Sequence, residues 1–560
     1  MLTRIAIALV SVALVSSAAA QKYTAPSTPV IGSANTVTAD PAQPRPETKP
    51  CVVQLFSDYT FDDFSGHPFS YNATCPGPWE KVILSADFNI TAGVQYDRTA
   101  NIWIGGVNVY FGTTAEPSHN VARNWHVESD LTDYAPLFAM NQNGEVDLGN
   151  LVNSTYTGIL YGSAELEFYP VPKRWHEQAP DTASHVYPLS AGPNGGTVAL
   201  GNSSAMLSTT LTLPTNIERA YLDVIAQSQS GDEFWYTCVP NDVANELESC
   251  GGGAFREAQV TIDGTPAGVS PVYPWIYTGG IDPELWRPIP DISTLNFTPY
   301  RVDLTPFAGV LSNGVSHTVA VSVYGANNYF STTATLLIYQ DPNSSQITGE
   351  VTKNTIKPPN PNTVENITTD ASGNITGSVS TTSSRHFEID GYIHTSKGRV
   401  ESSVRQQIDF SNVQTFDIES SGLYVQDIKQ NTFINSWSGS FGRRANLSST
   451  IQQQWPLHAN ITLDFSANPV PQTTILSQGL HKTEAELGED GFYWSQLDNT
   501  DNAADTLFFD PNSGLITGNQ AQSSSQSYSF RDSTGDCYNR SIASQSGALT
   551  SVHDGHGCWF

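Results

Sequence analysis

No long stretch of this chain repeats its apolar residues with the 3.6-residue period of a helix. They alternate instead, in short runs cut by Gly, Pro, Asn and Asp. A chain patterned this way buries itself by stacking sheets, so it predicts antiparallel sandwiches, with a jelly-roll pair as the natural form. Runs at 82–84, 102–104, 107–111 and 164–169 predict strands of a first jelly-roll domain over residues 51–170. A connector holding Pro170, Pro172 and Pro180 follows. Runs at 207–213, 219–226, 257–263 and 317–324 then predict a second jelly-roll domain over 185–340. Residues 341–384 turn rich in Asn, Thr, Ser, Gly and Pro, which predicts an exposed linker. From 385 to 560 the chain is β-patterned again but very polar, as in 400–410. The expected fold class is all-β: two tandem jelly-roll-like β-sandwich domains followed by a third β-rich C-terminal domain, in which no chemistry stands out.

The N-terminus sets the compartment. Arg4, an apolar run over 5–15 and Ala18-Ala19-Ala20 before Gln21 have the form of a secretory signal peptide over 1–20. Its apolar run is too short to span a bilayer, and no later segment qualifies. Residues 21–50, rich in Pro, Thr, Ala and Ser, predict a flexible lead-in. Asn-x-Ser/Thr triplets at Asn72, Asn89, Asn153, Asn202, Asn296, Asn343, Asn366, Asn374, Asn446, Asn460 and Asn539 fit an exported chain. So do its cysteines, whose simplest pairing joins Cys51 to Cys75, Cys238 to Cys250 and Cys537 to Cys558. The formal charge of −29 and pI near 4.6 argue against nucleic acid and anionic membranes as partners. A secreted monomer, or one in the lumen of the secretory or vacuolar pathway, is expected. Neither cofactor nor metal is expected; His553, His556 and Cys558 are better explained by a Gly-rich tail beside a disulfide.

Nucleophile elbow, phosphate-binding loop and zinc-protease helix are all missing from the sequence. What remains is a set of acids and aromatics at strand mouths. Tyr96-Asp97-Arg98 precedes the alternating run Ala100, Ile102, Ile104, so a carboxylate sits at the edge of a sheet beside a guanidinium. Such pairs also serve purely structural ends. Glu116 is stiffened by Pro117. Glu233 precedes Phe234-Trp235-Tyr236, of which at least one ring is expected to line a groove. Glu257 opens a strand, and 277–288 is a loop carrying Asp282, Trp286 and Arg287. Trp286 either packs internally or offers a face to a sugar, while Arg287 can donate to hydroxyls. Acids, Trp and Gly at strand ends of a secreted β protein suggest a carbohydrate substrate, with two carboxylates as base and acid.

These segments resemble the peptide-N-glycosidase A family, the peptide-N4-(N-acetyl-β-glucosaminyl)asparagine amidases of plants and fungi. The likeness lies in Asp97-Arg98, 112–117, 147–152, 233–236, Phe255-Arg256-Glu257 and 277–288. A more distant likeness runs to bacterial peptide-N-glycosidase F, two packed jelly rolls whose catalytic Asp lies in an aromatic-Asp-Arg-x-Ala-Asn-x-aromatic strand, matched by 96–103. The resemblance implies a secreted amidohydrolase that cleaves the bond between N-glycan GlcNAc and Asn of glycopeptides or glycoproteins, leaving Asp. It implies Asp97 as the catalytic carboxylate, and the Asp-x-x-x-Trp of the bacterial loop resembles Asp282 to Trp286. The bacterial Glu before Phe-Arg is replaced here by Gly251-Gly252-Gly253, which leaves Glu257 as the candidate second carboxylate, with Glu233 and Glu116 behind it. Arg98, Glu116, Glu233, Trp235, Asp282, Trp286 and Arg287 are the expected substrate-binding residues. A two-carboxylate glycoside hydrolase and a non-catalytic sugar-binding sandwich are the rival readings.

Overall fold

The computed structural model describes residues 28–172, 180–442, 445–488 and 491–555. The expected signal peptide at 1–20, together with Cys558, lies outside them. The alternating runs are strands, several of them longer than the apolar kernel: 82–84 lies within Trp79–Ile90, 164–169 within Leu160–Pro170 and 400–410 within Gly398–Ile418, while 257–263 is the strand Glu257–Ile262 and 207–213 is Met206–Thr212.

The first sandwich stacks two four-stranded antiparallel sheets. One runs Cys51–Phe61, Leu160–Pro170, Trp79–Ile90, Arg123–Asp130; the other His67–Tyr71, Gln142–Asp147, Thr99–Ile104, Val107–Thr113. Val82, Leu84 and Phe88 from one sheet meet Ile102, Ile104 and Val146 from the other in a common core. In the second sandwich, Val198–Leu200, Phe330–Gln340, Ile217–Ser228 and Tyr300–Asp303 form one sheet, with His185–Leu189 also on Phe330–Gln340. Met206–Thr212, Ser316–Tyr324, Glu257–Ile262 and Thr265–Pro271 form the other.

The C-terminal region is a single 11-stranded meander sheet with strands as long as 21 residues. Along Gly398–Ile418 every second side chain is buried. Its inner face joins the core of the second sandwich, where Phe387, Ile408, Phe410 and Ile434 pack with Trp235, Phe255 and Val269. Much of that inner face is polar for a reason. Asn412, Gln414, Gln426 and Gln478 donate to the backbone carbonyls of Tyr236, Cys238, Thr237 and Pro274 at 2.7–2.9 Å. Loops pressed under a sheet need donors for their carbonyls, and planar amides supply them.

Two expectations about connecting segments change. Residues 341–384 are mostly strand: Thr348–Asn354 and Asn362–Thr369 pair with the two ends of the 21-residue strand Ile375–Thr395. Lying largely in solvent, these edge strands carry loop-like composition. Within the lead-in, 28–50 is a pinned strap. Ala39 is fully buried, its N–H donating to Gln526 and its carbonyl accepting from Tyr538. Arg45 pairs with Glu128 and Glu167. Disulfides join Cys51 to Cys75 and Cys238 to Cys250, and Cys537 is also disulfide-bonded.

Candidate active site

Antiparallel pairing of Thr99 with Thr113 places the residues before one strand beside those after the other. Thr114 N–H donates to the Arg98 carbonyl at 2.8 Å, and Arg98 N–H to Thr114 Oγ1 at 2.9 Å. Asp97 and Glu116 are thereby brought to one rim. The loop 272–299 closes over it. Thr278 Oγ1 donates to the Thr114 carbonyl at 2.6 Å and Gly279 N–H to Asp97 Oδ2 at 2.9 Å. A Cβ on Gly279 would sit 2.8 Å from Asp97 Oδ1 and 2.9 Å from Glu116 Oε2, so both carboxyls flank this one glycine. Arg287 reaches Glu116 Oε1 at 3.2 Å and also pairs with Glu284.

The second sandwich supplies Glu233, in the turn between two short helical segments, Ser230–Asp232 and Trp235–Thr237. Its neighbour Asp232 is wholly buried, paired with Arg256 at 2.9 Å and accepting the N–H groups of Asn327, Asn328 and Tyr329. That anchoring fixes the turn from which Glu233 projects, itself half-buried.

Three carboxyls in one field cannot all ionise cheaply. Burial raises Asp97, but the Gly279 N–H and the charge of Arg98 pull it back. Glu116 is pushed well above the carboxylate range by burial and by the charge of Asp97. Glu233 rises to about 7 from the same two causes. The arrangement therefore favours one carboxylate with two protonated acids beside it, which is the pairing of a base with a proton donor.

Four of the expected residues, Asp97, Glu116, Glu233 and Arg287, converge. Arg98 adjoins them; its guanidinium donates to Gln95 Oε1 and lies 5.8 Å from the Tyr96 ring centre. The others are elsewhere. Glu257, 1% exposed, is ion-paired with Arg385 of the C-terminal sheet and raised to about 7 by burial. Trp286 is 2% exposed and gives its indole N–H to the Gly280 carbonyl, so its faces pack the loop interior and are not open to a sugar. Trp235 is likewise buried, against Phe410, leaving Phe234 as the partly exposed ring of that trio. Asp282 is fully buried, accepts the Glu284 N–H at 2.9 Å, and is raised to about 7 by burial and then the charge of Asp505. Two contributors carried no distinguishing sequence signal: Thr278 and Gly279 matter through a hydroxyl and a backbone N–H at a close approach. Tyr96 is the rim aromatic, 59% exposed and 5.7 Å from Tyr156. Its place in the aromatic-Asp-Arg motif was the signal for it.

The chain is 32% identical over 388 residues to peptide-N4-(N-acetyl-beta-glucosaminyl)asparagine amidase A of Prunus dulcis, covering 66% of this chain and 67% of that one. Among solved structures, PNGase F of Flavobacterium meningosepticum is similar at 15% identity and TM-score 0.33, over 52% of this chain and 96% of that one. PNGF-II is similar at 14% identity and TM-score 0.35, over 52% and 66%. The model of peptide N-acetyl-beta-D-glucosaminyl asparaginase amidase A matches residues 41–357, a span holding every converging residue above, and the chain belongs to that family.

Proposed function

We propose that this protein hydrolyses the amide joining the first N-acetylglucosamine of an N-glycan to asparagine in glycopeptides. The peptide keeps Asp, and the sugar leaves as a glycosylamine that later loses ammonia. Family membership supports the reaction class. The observation that carries the assignment of roles is the setting of the three acids: of them Asp97 takes the Gly279 N–H and the charge of Arg98, while burial and the charge of Asp97 push Glu116 and Glu233 up.

In this reading Asp97 takes a proton from water as the oxygen attacks the amide carbon. Glu233 gives its proton to the departing glycosyl nitrogen as the C–N bond breaks. Glu116, held by Arg287, stays protonated and keeps a second negative charge away from Asp97. Arg98 stabilises Asp97 through its charge. Glu233 replaces Glu257 as the second carboxylate, because Glu257 is engaged by Arg385 and Gln259. Every group comes from one chain, so a monomer suffices. The disulfides fit a secretory or vacuolar route.

Mass spectrometry of a purified N-glycopeptide incubated with the protein tests the reading. An intact free glycan with Asn converted to Asp is expected. Trimming within the glycan would mean a glycoside hydrolase, and binding without turnover a sugar-binding module.

A further inference from the structure

The outer face of the C-terminal sheet holds one acceptor asparagine in unusual company. Asn446, of an Asn-x-Ser triplet, is the direct cross-strand partner of Phe441, and both are exposed. Partners so placed have Cβ atoms about 5 Å apart on the same face. Phe441 lies parallel to Trp437, at 16° and 6.0 Å between ring centres. Gly439 makes that possible: a Cβ there would be 2.6 Å from the Phe441 ring and 2.8 Å from the Trp437 ring, so both rings lean over its bare Cα. Phe441 is exposed and Trp437 partly so, and among the described residues the one cation over the pair is Arg405, on the indole.

Polar groups continue the line beyond Trp437. Arg405 lies 4.9 Å over the indole and is tethered by Glu388. A depression of about 290 Å³ follows, bordered by His386, Arg405, Gln407, Asn435 and Trp437. From the Asn446–Phe441 pair to the Asn435–Gln407 pair is six residues along a strand, about 20 Å at about 3.3 Å per residue. Apolar rings come first, then planar amides and a guanidinium. That order matches a glycan laid down from its attachment point: apolar sugar faces on the rings, hydroxyls on the amides.

We propose that Asn446 carries an N-linked glycan and that this glycan lies back along the outer face, its core sugars on Phe441 and Trp437 and its outer sugars in the depression. The ligand of this surface is then the chain's own modification, which covers rings that would otherwise meet water. The proposal rests on the secretory route. The sheet contains its own controls. Asn460 faces outward between Asp427 and Ile475, and Asn539 pairs with Ser529; among the described residues neither has a Phe, Tyr or Trp as its cross-strand partner.

The test is site-resolved glycopeptide mass spectrometry of the protein secreted from a eukaryotic host, during timed digestion of the native protein with an endoglycosidase. Asn446 should be occupied, and its glycan should be released about tenfold more slowly than those at Asn460 or Asn539. Phe441→Ser and, separately, Trp437→Ala should raise that rate to the level of the controls without changing occupancy. The two variants act independently, so failure of one to fold leaves the other. Glycans at other sites with none at Asn446 would overturn the proposal alone, as would equal release rates in wild type. No glycan at any site would sink the secretory route with it.

Discussion

The sandwich loops and the C-terminal sheet divide the work of this molecule unevenly. The loop 272–299 has no long regular element and is nearly all buried, yet it touches Asp97, Glu116 and, through Asp282, the sheet below. The sheet is a succession of plain hairpins and places none of the converging carboxyls. It supplies instead the amides that satisfy loop carbonyls and the carboxyls that meet Asp282 and Asp291. The lesson is that irregular backbone can be held rigidly when a regular surface answers its hydrogen bonds one by one. Chemistry sits on the irregular side and its precision comes from the regular one.

Mutation of the two buried-acid environments should separate these roles most sharply. Asp97→Asn is expected to lower kcat/KM by about 10³-fold or more while the melting temperature holds, since it removes the base and no ion pair. Glu257→Gln should do the reverse. Above pH 7, where Glu257 is ionised, it leaves Arg385 without its charge partner at a site 1% exposed, at a cost of about 3 kcal/mol, with kcat of the folded fraction nearly unchanged. Thermal unfolding together with glycopeptide turnover reads both. Loss of turnover in Glu257→Gln at an unchanged melting temperature would move the chemistry to the sheet and end the comparison.

Glu233→Gln is expected to cost about 10²-fold in kcat, because the amide cannot donate a proton as an acid does. The pH profile sharpens the assignment. Activity that needs protonated Glu233 should fall as pH rises past about 7, the value to which burial and Asp97 lift this group. In the variant that descending limb should disappear. A limb that persists unchanged would assign the proton to Glu116.

The junction of loop and sheet is a seam of buried acids. Asp282 rises to about 7 through burial and then the charge of Asp505, and Asp505 to about 6 through burial and then the charge of Glu284; Asp40 rises to about 6 through burial, which also lifts Asp291 and Asp501 well above the carboxylate range. Asn499, Gln526, Tyr273 and Glu284 face the same seam. Because these pKa values are raised on folding, the folded chain binds the extra protons. Their contribution is complete below about pH 4 and is lost as pH climbs through 6 to 7. The melting temperature should therefore fall by several degrees between mildly acidic and mildly alkaline buffer. The double variant Asp282→Asn, Asp505→Asn should flatten part of that slope. A wild-type melting temperature that rises over the same interval would refute the seam.

Much of this was legible in the sequence, and the rest failed for identifiable reasons. Alternation located the strands because one face of each is buried, as along Gly398–Ile418. It could not find Thr348–Asn354 and Asn362–Thr369, which meet solvent along most of their length and so resemble loops. The position of Asp97 was legible because its context is local, a carboxylate at the mouth of its own strand. The ion pair that holds Glu257 was not, because its partner Arg385 is 128 positions away. Trp286 advertised a large apolar face, but only the fold shows that its indole N–H closes on Gly280.

The smallest effect tests the hydrogen-bond side of the comparison. Gln478 donates to the Pro274 carbonyl at 2.7 Å, and proline offers the loop no N–H of its own there. Gln478→Leu keeps similar bulk and leaves that buried carbonyl unanswered, which should cost about 1–3 kcal/mol. If the sheet holds the loop in its working form, KM for a glycopeptide should rise by a small factor, with the pH profile of kcat unchanged. A stability loss with KM untouched would show that the floor holds the fold without positioning the site. A changed pH profile would mean instead that the loop shift reaches the field around Asp97, which joins it through the Gly279 N–H.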